Sequence, residues 1–295
     1  GRTPGGTSCQ QFMRLGEQVS LSALQEVSDR LQCDDPVDIQ YTSGTTGSPK
    51  GATLSHHNIL NNGFFVGGSL RYTADARICT PVPFYDCFGC VMANLAALTH
   101  AAAVIVPAES FDPEATLRAI EMHRCTSIYG VPTMFIAMLG HECFDHVRLE
   151  SLRTGIMAGS PCPIEVMRQV IDRMHVREVT ICYGMTETSP VSFQSAVDDP
   201  VEARVSTVGK IHPHLECKIV SPETGEIVPR GTPGELCTRG YSVMLGYWNN
   251  AEATSAAIDS ARWMHSGDLA VMRDDGSVNI TGRIKDMIIR GGENV

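Results

Sequence analysis

Residues 42–51 of this 295-residue chain bring glycines, hydroxyl side chains and one lysine together in a short stretch. Gly44, Gly47 and Gly51 allow the backbone to take positive φ angles and to approach a ligand closely. The N–H groups exposed in such a loop form an anion-binding concavity, and serine and threonine hydroxyls add further donors. Lys50 supplies a positive charge. These residue types in this spacing indicate binding of a polyphosphate.

The segments on either side of this stretch predict a strand and a helix. Residues 37–41 alternate apolar and polar side chains, whereas residues 59–70 form an apolar helical run with Ser55 as its candidate cap. A flexible linker has a similar composition, but a linker rarely lies tightly between a strand and a helix with a lysine at its tip. The stretch is not a Walker loop, because Ser48 and Pro49 separate the second glycine from Lys50.

A second candidate stretch is Tyr183-Gly184-Met185-Thr186-Glu187, at the end of a predicted strand. A tyrosine ring can stack on a purine, a threonine hydroxyl can bind phosphate, and a carboxylate can hold Mg²⁺. Taken alone, the pattern is short enough to occur by chance.

Three further positions have both a chemical and a purely structural interpretation. The small residues of Gly159-Ser160-Pro161 allow a flat base or an acyl group to approach the backbone, or form a plain strand-to-helix turn. Asp268 is placed either to accept both ribose hydroxyls or to form a turn. Arg283 is either a ribose or phosphate contact or a surface ion-pair partner.

The elements that must position these residues predict an α/β fold. Residues 11–33 read as a helix with turns, and from residue 77 to residue 183 strand-like and helical segments alternate. Such alternation indicates a largely parallel sheet with covering helices, and ligands bind such sheets at the carboxyl ends of strands. From residue 205 short strands and Gly/Pro turns predict a smaller β-rich, barrel-like subdomain, with one helix at residues 251–258. We therefore predict an α/β part at residues 1–204 and a β-rich part at residues 205–281.

Composition excludes several functions. The net charge of −10 argues against a nucleic-acid surface, and no apolar run reaches the roughly 20 residues of a membrane span. The eleven cysteines are odd in number and scattered, which is typical of a reduced intracellular protein. Cys87 and Cys90 have metal-site spacing without a second pair, and His141 and His146 are five residues apart rather than four. We therefore expect no metal site at either place.

The motifs taken together resemble the adenylate-forming superfamily of acyl-CoA synthetases, luciferases and peptide-synthetase adenylation domains. Residues 42–51 match its T-S-G-T-T-G-x-P-K-G signature at every position. The Y-G-x-T-E stretch, the Ser266-Gly267-Asp268 turn and Gly282-Arg283-Ile284-Lys285-Asp286 follow in the family's order. Gly234–Gly240 and Gly246-Tyr247-Trp248 resemble further signatures, which we interpret as structural. The chain is most similar to medium- or long-chain fatty acid–CoA ligases.

This resemblance implies an ATP-dependent carboxylate–CoA ligase that forms an acyl-adenylate and then a thioester with coenzyme A. It implies catalytic roles for Lys50 and Thr186, with Glu187 also holding Mg²⁺. The implied nucleotide-binding residues are Thr42, Ser43, Gly44, Thr45, Thr46, Gly47, Lys50, Gly159, Ser160, Pro161, Cys182, Tyr183, Gly184, Met185, Thr186, Asp268, Arg283 and Lys285. The implied acid-binding residues are Tyr85, Asp86, Met134, Gly159, Met185 and Val191. Gly291 and Gly292 are implied to border the CoA channel.

The chain departs from the family at two places. Many members carry a histidine after the P-[LF]-[FY] segment, where this chain has Asp86, and a carboxylate there repels an acid unless it is protonated or turned away. The family's catalytic lysine lies in a C-terminal domain, and residues 282–295 resemble the hinge that precedes it, with Lys285 at its centre. We therefore expect this sequence to be the central part of a longer protein, or a truncated one.

Other functions stay open at the level of sequence. A non-catalytic nucleotide-binding protein and a ligase or adenylation domain for another acid fit the same motifs. The expected partners are a small carboxylic acid, ATP and CoA, with a homo-oligomer left open. Cytoplasm is the default location, and mitochondria are the alternative if a targeting segment has been lost.

Overall fold

The computed structural model describes residues 6–42 and 49–284, and the backbone at residues 289–290 and 293–294. The chain divides into two compact units, residues 1–35 and 36–295. In the first unit, helix α1 spans Cys9–Gly16 and helix α2 spans Leu21–Ser28, capped by Ser8 and Ser20. The single helix with turns predicted over residues 11–33 is thus two helices, and neither buries a residue.

The second unit contains all the described strands. In chain order they are β1 (Pro36–Thr42), β2 (Lys50–Ser55), β3 (Arg77–Cys79), β4 (Ala103–Ile105), β5 (Ser127–Gly130), β6 (Thr154–Met157), β7 (Glu178–Gly184), β8 (Val191–Gln194), β9 (Lys210–Ile211), β10 (Leu215–Val220), β11 (Gly234–Gly240), β12 (Gly246–Tyr247), β13 (Met264–Met272), β14 (Val278–Arg283), β15 (Ile289–Arg290) and β16 (Glu293–Asn294).

The helices of this unit lie mostly between strands of the main sheet. They are α3 (His56–Ser69), a π-helix (Phe88–Leu95) that continues into α4 (Ala96–Thr99), α5 (Pro113–His123), α6 (Pro132–Leu139), α7 (Ile164–Arg173), α8 (Val201–Ser206) and α9 (Ala251–Ala257), with short 3₁₀ turns at Phe144–His146 and Thr186–Thr188. In the described part of the chain, no helix is long and apolar enough to cross a membrane.

The main sheet has seven strands in the order β4-β3-β5-β6-β7-β8-β9. Its pairs are parallel from β4 to β7 and antiparallel from β7 to β9. Alternate residues of a strand face opposite sides, so Ile128 packs with α5, α6 and α7 while its neighbour Tyr129 packs with α3 and the π-helix. The predicted α/β fold with a largely parallel, helix-covered sheet is confirmed.

A four-stranded antiparallel sheet, β10-β11-β13-β14, follows the main sheet in sequence. Its apolar residues Ile219, Leu236 and Val278 pack with Phe193 of β8. This sheet lies in the range for which the sequence predicts a β-rich part. The positions of the part boundaries, at residues 204 and 281, stay predictions.

Ser55 caps the helix as predicted, but the strand that precedes it was not predicted. Residues 50–55 form strand β2, which pairs antiparallel with β1 and on its other side with β12. Helix α3 begins only afterwards, where the Ser55 hydroxyl accepts from the N–H of Asn58. Strands β1 and β2, which flank the glycine-rich stretch in sequence, are therefore neighbours in a three-stranded sheet.

Candidate active site

The two ends of the phosphate loop lie side by side. Thr42, the last residue of β1, is the register partner of Lys50, the first residue of β2. The candidate phosphate ligands between them, Ser43, Gly44, Thr45, Thr46 and Gly47, lie outside the described residues. Antiparallel pairing brings Thr42 and Lys50, the two ends of this stretch, side by side.

Lys50 and Glu187 both contact Tyr247, a residue that we interpret from sequence as structural. The Lys50 Nζ lies 5.1 Å from the centroid of the Tyr247 ring, within the range of a cation–π contact. The Tyr247 hydroxyl donates to Glu187 Oε1 at 2.7 Å. Burial, and then the neighbouring carboxylate, raise the pKa of Tyr247, so the hydroxyl keeps its proton and acts as the donor. A cation, an aromatic ring and a carboxylate thus form one cluster.

The turn that carries Glu187 follows strand β7 directly. Its Thr188 hydroxyl accepts from the Met185 N–H at 3.1 Å, and the Glu187 carbonyl accepts from the Met244 N–H at 3.0 Å. The Thr186 hydroxyl lies 3.7 Å from the Cys87 sulfur, and burial raises the pKa of Cys87 to about 12. Cys87 is therefore a neutral thiol at neutral pH, and Thr186 faces no thiolate.

A second cluster joins the end of β7 to the antiparallel sheet. The Tyr183 hydroxyl donates to Asp268 Oδ2 at 2.6 Å, and Arg283 Nε lies 3.3 Å from Asp268 Oδ1. Burial, and then Asp268, raise the pKa of Tyr183 well above its ordinary value. Asp268 and Arg283 are register partners on β13 and β14, which explains why they meet. Three residues predicted for the nucleoside therefore lie together.

Asp268 lies within strand β13, so the turn expected at Ser266-Gly267-Asp268 is wrong, and the irregular part of this strand is held by Glu235. Glu235 of β11 accepts from the Gly267 N–H at 3.0 Å and contacts His265 Nδ1 at 2.8 Å with its other oxygen. The register between β11 and β13 shifts at this point, and Gly267 takes a φ of +72°. Such irregularities redirect a side chain next to a site. The sequence signal for Glu235 is the Gly234–Gly240 signature, which we interpret from sequence as structural only.

The small-residue loop lies beside the Tyr183 stretch. Strands β6 and β7 run parallel as neighbours, so Gly159, Ser160 and Pro161 leave the same sheet edge as the turn with Glu187. All three are exposed. Gly159 has a φ of +88°, a conformation that other residues adopt with strain.

Asp86 is turned onto the backbone. Its Oδ1 accepts from the N–H groups of Phe88 at 2.8 Å and Gly89 at 3.3 Å, at the start of the π-helix. Backbone donors at a helix start offset a negative charge. One oxygen of the carboxylate is thus held by the backbone, and the effect of Asp86 on an acid substrate stays a prediction. Tyr85 beside it is 87% exposed.

The predicted acyl-pocket residues lie in two separate apolar clusters. Val191 is 2% exposed and packs in a cluster that Met134 and Cys182 also contact. Met185 packs instead against the cluster that contains Ala52 and Val91. Gly184 is exposed at the end of β7. The remaining predicted residues, Lys285, Gly291 and Gly292, lie outside the described residues, and the pocket assignment stays a prediction.

Comparison with known proteins places this arrangement in a family. Residues 7–248 match the family of AMP-binding enzymes, and the chain belongs to it. The chain is 49% identical over 294 residues to the mitochondrial medium-chain acyl-CoA ligase ACSF2 of Danio rerio, covering 99% of this chain and 48% of that protein. It is 47% identical over 284 residues to the acyl-CoA ligase SID4 of Ajellomyces capsulatus, covering 95% of this chain and 48% of that protein.

A solved structure has the same fold. The ATP-bound MatB of Rhodopseudomonas palustris superposes with a TM-score of 0.80 at 32% identity, covering 90% of this chain and 51% of that chain. The chain spans about half the length of the curated relatives that it matches, 48% of both the Danio rerio and the Ajellomyces capsulatus protein.

Proposed function

We propose that this chain forms the nucleotide- and acid-binding part of an AMP-forming carboxylate–CoA ligase. The observation that carries the proposal is the position of Thr186 and Glu187 at the carboxyl end of β7, between the Lys50–Tyr247 contact and the Tyr183–Asp268–Arg283 cluster. This arrangement offers one group for each part of ATP. Membership of the AMP-binding family supports it.

In this proposal, the acid carboxylate attacks the α-phosphate of ATP, and pyrophosphate leaves as the acyl-adenylate forms. Lys50 and the loop at residues 42–47 bind the β- and γ-phosphates, Thr186 binds the α-phosphate, and Asp268 and Arg283 hold the ribose. The adenine lies between Tyr183 and the Gly159–Ser160 loop. Such catalysis consists of positioning and charge neutralisation rather than covalent chemistry by the protein.

The donor set at Glu187 fits Mg²⁺. The bond from Tyr247 uses Oε1, and among the described residues Oε2 accepts no hydrogen bond. One carboxylate oxygen next to substrate phosphates is a common Mg²⁺ ligand set. The ion would neutralise phosphate charge when bound, while Glu187 would fix its position.

The thiol of CoA then displaces AMP in the second half-reaction. Lys285 is the proposed hinge and Gly291 and Gly292 are the proposed border of the thiol channel. We propose a medium-chain fatty acid as the acid, supported by the name of the zebrafish relative. The same relative's name makes mitochondria the first location to examine, with cytoplasm as the alternative.

The test is acid-dependent exchange of labelled pyrophosphate into ATP by the full-length protein. Octanoate, palmitate, acetate, coumarate and amino acids form the panel, and we expect exchange with octanoate. Lys50→Ala and Glu187→Ala should abolish it, whereas Glu216→Gln, on the exposed side of β10, should not change it. ATP binding without exchange for any acid would contradict the ligase and favour a non-catalytic nucleotide-binding protein.

A further inference from the structure

We propose that Tyr247 is a positioning residue that holds Glu187 and Lys50 in a fixed relation, and so presents Glu187 to the Mg²⁺ of MgATP. The inference rests on the proposed function, because it assigns a task to a residue next to two proposed ligands. Its hydroxyl contacts one charge and its ring face contacts the other. One side chain thus contacts both charged groups.

The backbone around Tyr247 is fixed on both sides. Strand β12 pairs with β2, where Tyr247 is the register partner of Ala52, two residues beyond Lys50. The Trp248 N–H donates to the Gly51 carbonyl at 2.7 Å, and the Met244 N–H donates to the Glu187 carbonyl at 3.0 Å. The segment therefore links the strand that carries Lys50 to the turn that carries Glu187.

A third contact holds Tyr247 from the helix that follows it. The Tyr247 N–H donates to the Thr254 hydroxyl at 2.9 Å, in helix α9. The Asn250 side chain caps this helix by accepting from the Ala253 N–H at 2.9 Å. With its backbone held in this way, the half-buried ring loses little conformational entropy when it holds its two partners.

The arrangement keeps two opposite charges available to a ligand. If Lys50 and Glu187 paired directly, each would neutralise the other before ATP arrived. In the described residues they do not pair, because the ring face meets the ammonium group and the hydroxyl meets Oε1. A protonated hydroxyl orients the carboxylate and takes only one of its two oxygens. The second oxygen, Oε2, accepts no hydrogen bond in the described part of the chain and so is left for a cation.

Two substitutions separate the two contacts. Tyr247→Phe keeps the ring over Lys50 and removes only the hydroxyl, whereas Tyr247→Leu removes both. Tyr241→Phe is the matched control, since the Tyr241 ring packs against Phe65 and His57 instead. The variants are made in the full-length protein, and circular dichroism with thermal unfolding confirms that each one folds.

The measurements are the Mg²⁺ concentration for half-maximal pyrophosphate exchange, and ATP binding by calorimetry with Mg²⁺ and with EDTA. A hydrogen bond to a charged group corresponds to roughly a tenfold change, so Tyr247→Phe should raise the Mg²⁺ requirement about tenfold. Its affinity for ATP in EDTA should match the wild type. Tyr247→Leu should also weaken binding in EDTA, and Tyr241→Phe should change neither quantity.

Two results would overturn the inference. An unchanged Mg²⁺ requirement in Tyr247→Phe would make the tyrosine a packing residue, and a lower requirement would make its hydroxyl a competitor of the metal. Failure of the proposed function has a different signature, because the wild type and Tyr241→Phe would then show no exchange with any acid. The calorimetric comparison would still decide the role of Tyr247 in that case.

Discussion

Two tyrosine–carboxylate pairs in the described part of the chain have nearly the same hydrogen-bond length but differ in how many carboxylate oxygens have a partner. Tyr247 donates to Glu187 at 2.7 Å and Tyr183 donates to Asp268 at 2.6 Å. Asp268 also meets Arg283 with its second oxygen, so both of its oxygens have protein partners. The cation of the other pair, Lys50, contacts the ring rather than the carboxylate.

This difference separates two kinds of binding group. A carboxylate with a protein partner on each oxygen is held more rigidly and keeps fewer acceptor sites for a ligand, because each oxygen has two lone pairs. A carboxylate with one oxygen occupied is oriented and still able to bind a cation. We infer that the pair at Asp268 favours a neutral ligand with hydroxyl donors, such as ribose, and that the pair at Glu187 favours a metal ion.

The largest expected effect comes from removing the charge of each carboxylate. Glu187→Gln should lower exchange at a fixed Mg²⁺ concentration by about 100-fold, because contacts of charged groups contribute about 1.5–3 kcal/mol. Its ATP affinity in EDTA should stay near the wild-type value. Asp268→Asn should instead weaken ATP binding about tenfold both with Mg²⁺ and in EDTA. Calorimetry with Mg²⁺ and with EDTA measures the ATP affinity of each variant. If ATP binding depended on Mg²⁺ equally in the two variants, Glu187 and Asp268 would not differ as ligand groups.

A smaller effect is expected from Glu235, which supports the irregular part of strand β13 next to Asp268. Glu235→Gln weakens the contacts to Gly267 and His265, and should lower the free energy of unfolding by about 1–2 kcal/mol with a several-fold loss of ATP affinity. Urea unfolding and calorimetry measure the two quantities. Glu216→Gln is the matched control, because the exposed Glu216–Arg239 pair on the same sheet contributes about 0–1 kcal/mol. An equal loss in both variants would show that Glu235 has no special role.

A smaller effect still is expected from Tyr183→Phe. Asp268 keeps Arg283 as a partner, so the free energy of unfolding should fall by about 1 kcal/mol, and ATP affinity should change less than threefold. The Mg²⁺ requirement should not change at all, in contrast to Tyr247→Phe. The same Mg²⁺ titration of exchange tests this, and a tenfold rise would mean that the two pairs act alike.

The smallest effect concerns ionisation. Burial raises the pKa of both Tyr183 and Tyr247, so their stabilising contribution is fully present below the unfolded-state pKa of about 10 and is lost as pH rises through the folded values above it. At about pH 11 neither hydroxyl should ionise in the folded protein. The rise in tyrosinate absorbance at that pH should therefore be the same in the wild type, Tyr183→Phe and Tyr247→Phe. A smaller rise in either variant would contradict the protonated state.

Local signals gave the most accurate predictions of structure. From sequence alone, Asp112-Pro113 predicts the start of a helix that runs to His123, and helix α5 spans Pro113–His123. The proline fixes φ for the first turn and the Asp112 carboxylate accepts from the Ala115 N–H, so residues within one turn determine the helix start. Strand β2 was missed because residues 51–54 do not alternate: they are buried in succession between β1 and β12.

Contacts between distant residues explain what sequence could not give at the site. Glu187 was predicted as a ligand from its own motif, whereas its partner Tyr247 lies 60 residues away. No local periodicity relates two such positions. The orientation of Asp86 was undetermined for a similar reason, because it depends on the backbone N–H groups of a π-helix that the sequence predicts only as helical.

Because the chain is synthesised from its N-terminus, the strand pairs and side-chain contacts described above can form only in a certain order. All strands of the main sheet lie between residues 77 and 211, so this sheet can pair once that length has left the ribosome. Strand β2 can pair with β12 only after residues 246–247 have been synthesised. Tyr183 can bond to Asp268 only after a further 85 residues of chain have followed it. A nascent chain can therefore form its main sheet before the Tyr247–Glu187 and Tyr183–Asp268 contacts are made.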